Sequence, residues 1–292
     1  MNPIPYYHVD VFSARPFSGN GLTVFTEAGS LSKTVMLKVT QEMRQFESIF
    51  LQTISPGKIR AHVFTCDEEV DFAGHPVLGA AATLHDLQRP GEQSAEWSFV
   101  LNKKTVNVIT QKNGQGYKAT MNQGAADFGM VPDDEQTAWL LDGLGLRADD
   151  LYPDYRPVVV STGLPYVLVP LKSNGLKAKI GFAGMEENIR GWGAMFVGIL
   201  EIPTLSIRTG DNFGRVEDIA TGSLAGPAGA FLVKHGLSKA DSIIKINQGE
   251  HLGRPSALFV EVKTDSGILG DIYVSGDVCK VAQGTLLAET GV

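Results

Sequence analysis

The sequence predicts an α+β chain of two similar halves, each with many short strands and one helix of small residues. Three observations predict it. One signature occurs twice, as Asp71-Phe72-Ala73-Gly74-His75-Pro76 and as Asp218-Ile219-Ala220-Thr221-Gly222-Ser223, half a chain apart. Each copy opens a run of small apolar residues, Val77 to Leu84 and Leu224 to Leu232, which is the composition of a helix that neighbours approach closely on every side. The rest reads as short β-rich runs cut by turn residues, in keeping with 33 Gly and 14 Pro. The pattern alone fits either a helix running through a curled sheet or a helix lying on one sheet face.

The elements follow in order. Tyr6 to Phe12 alternates and reads as a strand, Ser13 to Asn20 as a loop, and Leu22 to Phe25 as the next strand. Ser30 to Lys33 caps a helix running to about Arg44, with Val35, Met36, Val39 and Met43 on one face. Strands are expected at Ser48 to Thr53 and Ile59 to Thr65. The first motif helix then runs to about Leu87, with Pro76 at its first position, where a missing N–H costs nothing. Trp97 to Leu101, Thr105 to Gln111 and Tyr117 to Asn122 read as a meander. Gly124, Gly129 and Pro132 break the pattern and place the boundary between halves near Asn122 to Val131.

The second half starts with a helix from Pro132 to Leu141, strands at Arg156 to Thr162 and Tyr166 to Leu171, and a short helix near Met185 to Asn188. Strands follow at Trp192 to Ile199 and Thr204 to Arg208. The second motif helix spans about Ser223 to His235. Strands at Ile243 to Gln248, Ala257 to Thr264 and Gly270 to Val274 come last.

Bulk properties narrow the function. The 292 residues are 43% hydrophobic and 20% charged, an ordinary globular balance. A net charge of -7 without a basic run argues against nucleic acid or an anionic membrane as partner. Cys66 and Cys279 are too few for a disulfide framework. Met1 to Asp10 lacks the basic start and apolar run of a signal peptide, and no apolar stretch reaches the roughly 20 residues of a membrane span. A cytoplasmic protein is expected.

Several residues suit acid–base chemistry. Glu47 stands between a helix and the apolar strand Ile49-Phe50-Leu51; it is either a solvated helix-end acid or a half-buried one, whose pKa burial would raise towards neutral. His75, at a helix N-terminus, is either a packed capping residue or a neutral ring able to relay a proton. Asp218 either caps the second helix or faces a ligand. Backbone N–H groups at Gly222 and Ser223 are open to a carboxylate. Two such helix starts would hold an anionic small molecule without metal or nucleotide. Other chemistries fail on spacing: there is no G-x-S-x-G elbow, no phosphate-binding glycine loop, and the six histidines have no zinc spacing. His85 and His235 read as charges at helix C-termini.

At these residues the chain resembles the PhzF-like phenazine-biosynthesis isomerase family. The resemblance rests on Val11-Phe12-Ser13, Pro16 to Asn20, Phe46-Glu47-Ser48, Phe72 to Pro76, Ser161 to Pro165, Glu217 to Ser223, Gln248-Gly249 and Gly253 to Ser256, in family order along nearly the whole chain. It implies the diaminopimelate-epimerase fold, two pseudo-symmetric domains that each wrap a barrel-like, mostly antiparallel sheet around a central helix, with the active cleft between them. The expected domains are 1–124 and 125–280, with about 281–292 returning as a strand to the first. The resemblance makes Glu47 the proton-transfer acid/base, His75 and Asp218 the groups that bind and polarise the substrate, and Gly74, Gly222, Ser223 and Asn20 substrate-binding residues. It implies no cofactor and no metal, a small carboxylate as substrate, and a homodimer.

The epimerase cousins carry a cysteine at the head of each motif helix. Here those places hold Ala73 and, in the second copy, Ala220 or Thr221, so a two-thiol epimerase is not expected. Gly21 and Ile219 stand where proline is common, Gln45 replaces a usual leucine, and Thr209 to Gly214 lacks the usual aromatic lead. These departures bear on substrate identity. Two alternatives stay open: a racemase or epimerase with non-thiol bases, and a non-catalytic member that binds a small carboxylate or another protein.

Overall fold

The computed structural model describes residues 3–287. The chain divides into two compact units, one from the residues up to Asn122 with those from Ser275 onward, the other Gln123–Val274. Residues 288–292 of the expected returning strand lie outside the described residues.

The first unit holds β1 (Ile4–Val11), β2 (Asn20–Phe25), α1 (Lys33–Met43), β3 (Glu47–Ser55), β4 (Lys58–Thr65), β5 (Glu69–Val70), α2 (His75–Gln88), β6 (Ser94–Val100), β7 (Thr105–Asn113) and β8 (Gly116–Gly124). The second holds β9 (Asp127–Phe128), α3 (Asp134–Gly143), β10 (Val158–Ser161), β11 (Pro165–Leu171), α4 (Met185–Gly191), β12 (Phe196–Glu201), β13 (Ser206–Arg208), α5 (Gly222–Lys234), β14 (Ile243–Gln248) and β15 (Ser256–Asp265). The last strand, β16 (Ile268–Leu286), contributes residues to both.

The internal repeat is visible in the sign of successive pairings. In the first unit β1–β2 is antiparallel, β2–β3 parallel, β3–β4 antiparallel, β4–β6 parallel and β6–β7 antiparallel. From β10 to β15 the second unit repeats that series, with its parallel pairs at β11–β12 and β13–β14. Each parallel pair is joined by a helix, as a parallel connection requires. The first unit's strands follow the order β1-β2-β3-β4-β6-β7-β8-β16, and β16 also pairs with β1, Ile4 to Val11 against Leu286 to Val278. The strands therefore form a closed ring, with mixed rather than uniformly antiparallel pairing.

The motif helices run through these sheets, which decides between the two arrangements the pattern allowed. α2 packs against β1, β2, β3, β6 and β7, and is buried on every side from His75 to His85. α5 packs against β10, β11, β13 and β15, and is buried from Gly222 to Leu232. Small residues make this possible. A Cβ at Gly79 would lie 2.5 Å from Leu22 Cδ2 and 2.9 Å from Val11 Cγ2. At Gly229 it would lie 2.5 Å from Val260 Cγ1.

Local signals set most boundaries. Ser32 accepts a hydrogen bond from Val35 N–H to start α1, and Arg44, left-handed at φ 53°, ends it. Asp133 and Gln136 form a reciprocal capping box at α3. Four expectations need correction. Trp192 closes α4 rather than opening a strand, because Gly193 at φ 83° turns the chain, so β12 begins at Phe196. The strands expected from Gly270 and near Val281 are one continuous strand. α2 starts at His75, which makes Pro76 its second residue. His85 is a core residue, not an exposed charge: it is fully buried, with Nδ1 2.8 Å from Thr110 Oγ1 and Nε2 3.1 Å from the Glu92 carbonyl.

Candidate functional site

The expected site residues fall into two clusters, one in each unit. In the first, the α1–β3 turn puts Glu47 at the head of β3, opposite Leu22 of β2 and Thr65 of β4. Glu47 is 8% exposed. Its Oε2 lies 3.3 Å from His75 Nδ1, and Asn20 Nδ2, from the head of β2, lies 3.5 Å from that same nitrogen. The other ring nitrogen, Nε2, is buried with no hydrogen-bond partner among the described residues. Gly74 precedes His75, and no side chain caps the helix start. The structure thus brings Glu47, His75, Asn20 and Gly74 together.

Burial pushes the His75 imidazole down from its ordinary 6.5 to about 3. The ring is therefore neutral at physiological pH, and its contact with Glu47 is not an ion pair. The Asn20 amide nitrogen can only donate to Nδ1, which puts the ring hydrogen on Nε2, whereas an ionised Glu47 carboxylate can only accept from Nδ1–H, which leaves Nε2 an acceptor. A proton arriving at Glu47 is thereby linked to the tautomer of His75. One consequence is measurable. A histidine whose folded pKa is depressed contributes stability that is complete above 6.5 and is lost as pH falls towards 3. Between pH 7 and 4 the wild type is expected to lose stability relative to His75→Asn in denaturant titrations; a pH-independent difference would contradict a neutral buried ring.

In the second unit Asp218 is 8% exposed and lies just before α5. Thr221 Oγ1 donates to its Oδ2 at 2.5 Å. Gln248 accepts from Thr221 N–H at 2.9 Å, and its Nε2 donates to the Asp218 carbonyl at 2.8 Å. Ser223 Oγ is 2.8 Å from Tyr166 Oη, and Gln123 Nε2 donates to the Gly222 carbonyl at 3.0 Å. No side chain caps α5. This cluster holds Asp218, Gly222 and Ser223. Beside it, a cavity of 420 Å³ opens between β13 and the turn after β14, with Arg208, Gln248 and His251 in its wall.

The helix starts fix the register of the repeated signature. Gly74 immediately precedes α2 and Thr221 immediately precedes α5, so His75 corresponds to Gly222. In that register Asp71 and Asp218 stand at the same place, yet they differ in fate. Asp71 is exposed and pairs with Lys103 at 2.6 Å, whereas Asp218 is buried among hydroxyl and amide donors.

Gln248, Gln123 and Tyr166 escaped the reading from composition and spacing, although Gln248 stands in a motif of the family resemblance. A signal for the glutamines was present. In β14 the buried phase reads Ile244, Ile246, Gln248, and in β8 it reads Ala119, Met121, Gln123. A polar residue in the apolar phase of a strand must find buried partners. Among the described residues, no group of three or more His, Cys, Asp or Glu is placed to hold a metal ion, and no helix is long and apolar enough to cross a membrane.

A small-residue helix inside each of two repeated sheets, opened by a glycine turn beside buried acids, defines a racemase/epimerase-like fold. Comparisons agree. The chain is similar in structure to a hydroxyproline epimerase from Agrobacterium vitis, with a TM-score of 0.63 at 12% identity, over 98% of this chain and 91% of that one, a likeness of fold alone. A protein from Pseudomonas aeruginosa described as a predicted epimerase matches at 43% identity and a TM-score of 0.92, over 98% of this chain and 100% of that one. The trans-2,3-dihydro-3-hydroxyanthranilate isomerase of Pseudomonas chlororaphis is 30% identical over 97% of this chain and 99% of its own length. The family model for phenazine biosynthesis-like protein matches residues 9–284. The chain belongs to this PhzF-like isomerase family.

Proposed function

We propose that the protein is a cofactor-independent isomerase that moves a proton, and with it a double bond, in a small cyclic carboxylic acid. Glu47 takes a proton from one carbon of the substrate, the C–H electrons delocalise into the adjacent π system, and the resulting carboxylic acid returns a proton to another carbon. Glu47 ends ionised as it began. His75 adjusts its tautomer to each state of Glu47 and presents Nε2 to the substrate. Asp218 accepts hydrogen bonds from a substrate amine or hydroxyl, and the N–H groups of Gly222 and Ser223, at the positive end of α5, receive its carboxylate. In this reading the two units are the two domains of an epimerase-like enzyme, and the chain works in the cytoplasm; the family resemblance implies a homodimer.

The observation that supports this most is the buried contact between Glu47 Oε2 and His75 Nδ1, with His75 Nε2 left unpartnered among the described residues. An uncompensated buried acceptor or donor is costly, and such groups concentrate where a ligand completes the hydrogen bonding. Incubation with trans-2,3-dihydro-3-hydroxyanthranilate in D2O, followed by NMR, tests the reading. The expected result is double-bond migration with one deuterium at the newly protonated carbon. No migration and no label, with this compound and with a panel of cyclic amino and hydroxy acids, overturns it.

A second reading is an epimerase with non-thiol bases, favoured by the 43% identity to the protein described as a predicted epimerase. It requires deuterium at a stereocentre with every double bond in place. Tight binding of a carboxylate without any exchange would identify a non-catalytic binder.

A further inference from the structure

Asp218 is held by residues on two sides. Its Oδ2 accepts from Thr221 Oγ1 at 2.5 Å, while Gln248 Nε2 donates both to the Asp218 carbonyl at 2.8 Å and to Thr221 Oγ1 at 3.1 Å. Gln248 Oε1 in turn accepts from Thr221 N–H at 2.9 Å. A hydroxyl has a single proton to donate. Because the Thr221 oxygen accepts from the Gln248 amide, its own proton is directed to the Asp218 carboxylate. Gln248 and Thr221 are both buried, so bulk water does not compete for these bonds. The preceding residue is anchored as well: Glu217 meets Arg208 through two bonds of 2.7 Å and His251 at 2.8 Å, and Arg208 Nη1 donates to the Gly175 and Ala178 carbonyls.

We infer that Gln248 and Thr221 are positioning residues for Asp218: the amide orients the hydroxyl, and the hydroxyl holds the carboxylate in one rotamer against the start of α5. The inference rests on the proposed substrate role of Asp218, and its test needs no substrate. A hydrogen bond donated to a carboxylate favours the charged form. In ligand-free protein, the Asp218 side-chain carboxyl is followed by 13C NMR through a pH titration. Thr221→Val is expected to raise its midpoint by about one unit, a tenfold gain in proton affinity, and Thr221→Ser to restore it. Gln248→Leu and Gln248→Met are expected to raise it part of the way. The adjoining Glu217 and its partners Arg208 and His251 are unchanged in all four variants. Circular dichroism confirms that each variant is folded.

A midpoint unmoved in Thr221→Val overturns the inference. A midpoint moved in Thr221→Val but unmoved in whichever Gln248 variant folds overturns the part assigned to Gln248. Failure of Asp218→Asn to lower turnover would instead overturn the catalytic reading and leave the positioning result standing.

Discussion

Glu47→Gln is expected to lower turnover by about 10²–10⁴-fold, the usual contribution of one positioned acid or base, while leaving ligand affinity nearly intact. The substitution keeps the volume of the side chain and an oxygen or amide group within reach of His75 Nδ1, 3.3 Å away in the wild type. It removes only the capacity to carry a proton. Glu47→Asp probes the same point by distance, because the shorter side chain withdraws the carboxyl by about an ångström, a displacement that can cost on the order of 10²-fold. Deuterium incorporation measured by NMR distinguishes these cases, since the Gln variant blocks exchange and isomerisation together. Wild-type exchange in Glu47→Gln would remove Glu47 from the proton path. Position supports the role: Glu47 is the first residue of a strand whose next four residues are all buried, so backbone pairing fixes its Cα while the carboxyl reaches the start of α2.

Gly79→Val is expected to destabilise the protein by roughly 3 kcal/mol, the upper end of the usual cost of overpacking, and to lower the melting midpoint by about 6–12 °C. The first added carbon alone would meet Leu22 Cδ2 at 2.5 Å, Val11 Cγ2 at 2.9 Å and Val9 Cγ2 at 3.2 Å. All three belong to β1 and β2, the strands on which α2 lies. The helical gain of replacing glycine, about 1 kcal/mol, does not offset this. Adding Leu22→Ala should recover part of the loss, and that non-additivity identifies the clash as the cause. Equal midpoints for Gly79→Val and wild type in differential scanning calorimetry would mean that α2 is not gripped as the structure has it.

Local chemistry was the legible part of this chain. The expected α1 ends within a residue or two of the observed one because Ser32 caps it and a turn follows. The motif helices were legible because glycine, proline and small residues announce both their starts and their tight surroundings. What escaped depended on distant partners. Gln123 finds Gly222 across 99 residues, and Tyr166 finds Ser223 across 57. Gly276 lies within β16, between the two stretches expected as separate strands, and a Cβ there would overlap the ring of Phe12. A glycine that admits a neighbour and a glycine that bends the chain are the same letter. The contrast between Asp71 and Asp218 was hidden for a similar reason, since Lys103, which pairs with Asp71, and Gln248, which bonds both the Asp218 carbonyl and Thr221, lie outside both motifs.

The long β16 also imposes an order on assembly. As the chain is synthesised, β1 through β8 can pair among themselves, but the gap between β8 and β1 is filled only by residues 278–286, made after the whole second unit. Until then two strand edges stay open, and open edges invite pairing with other chains. Completing the ring joins residues as far apart as Ile4 and Leu286, the kind of non-local contact that slows folding. The N-terminal unit, first to leave the ribosome, is the last to be finished.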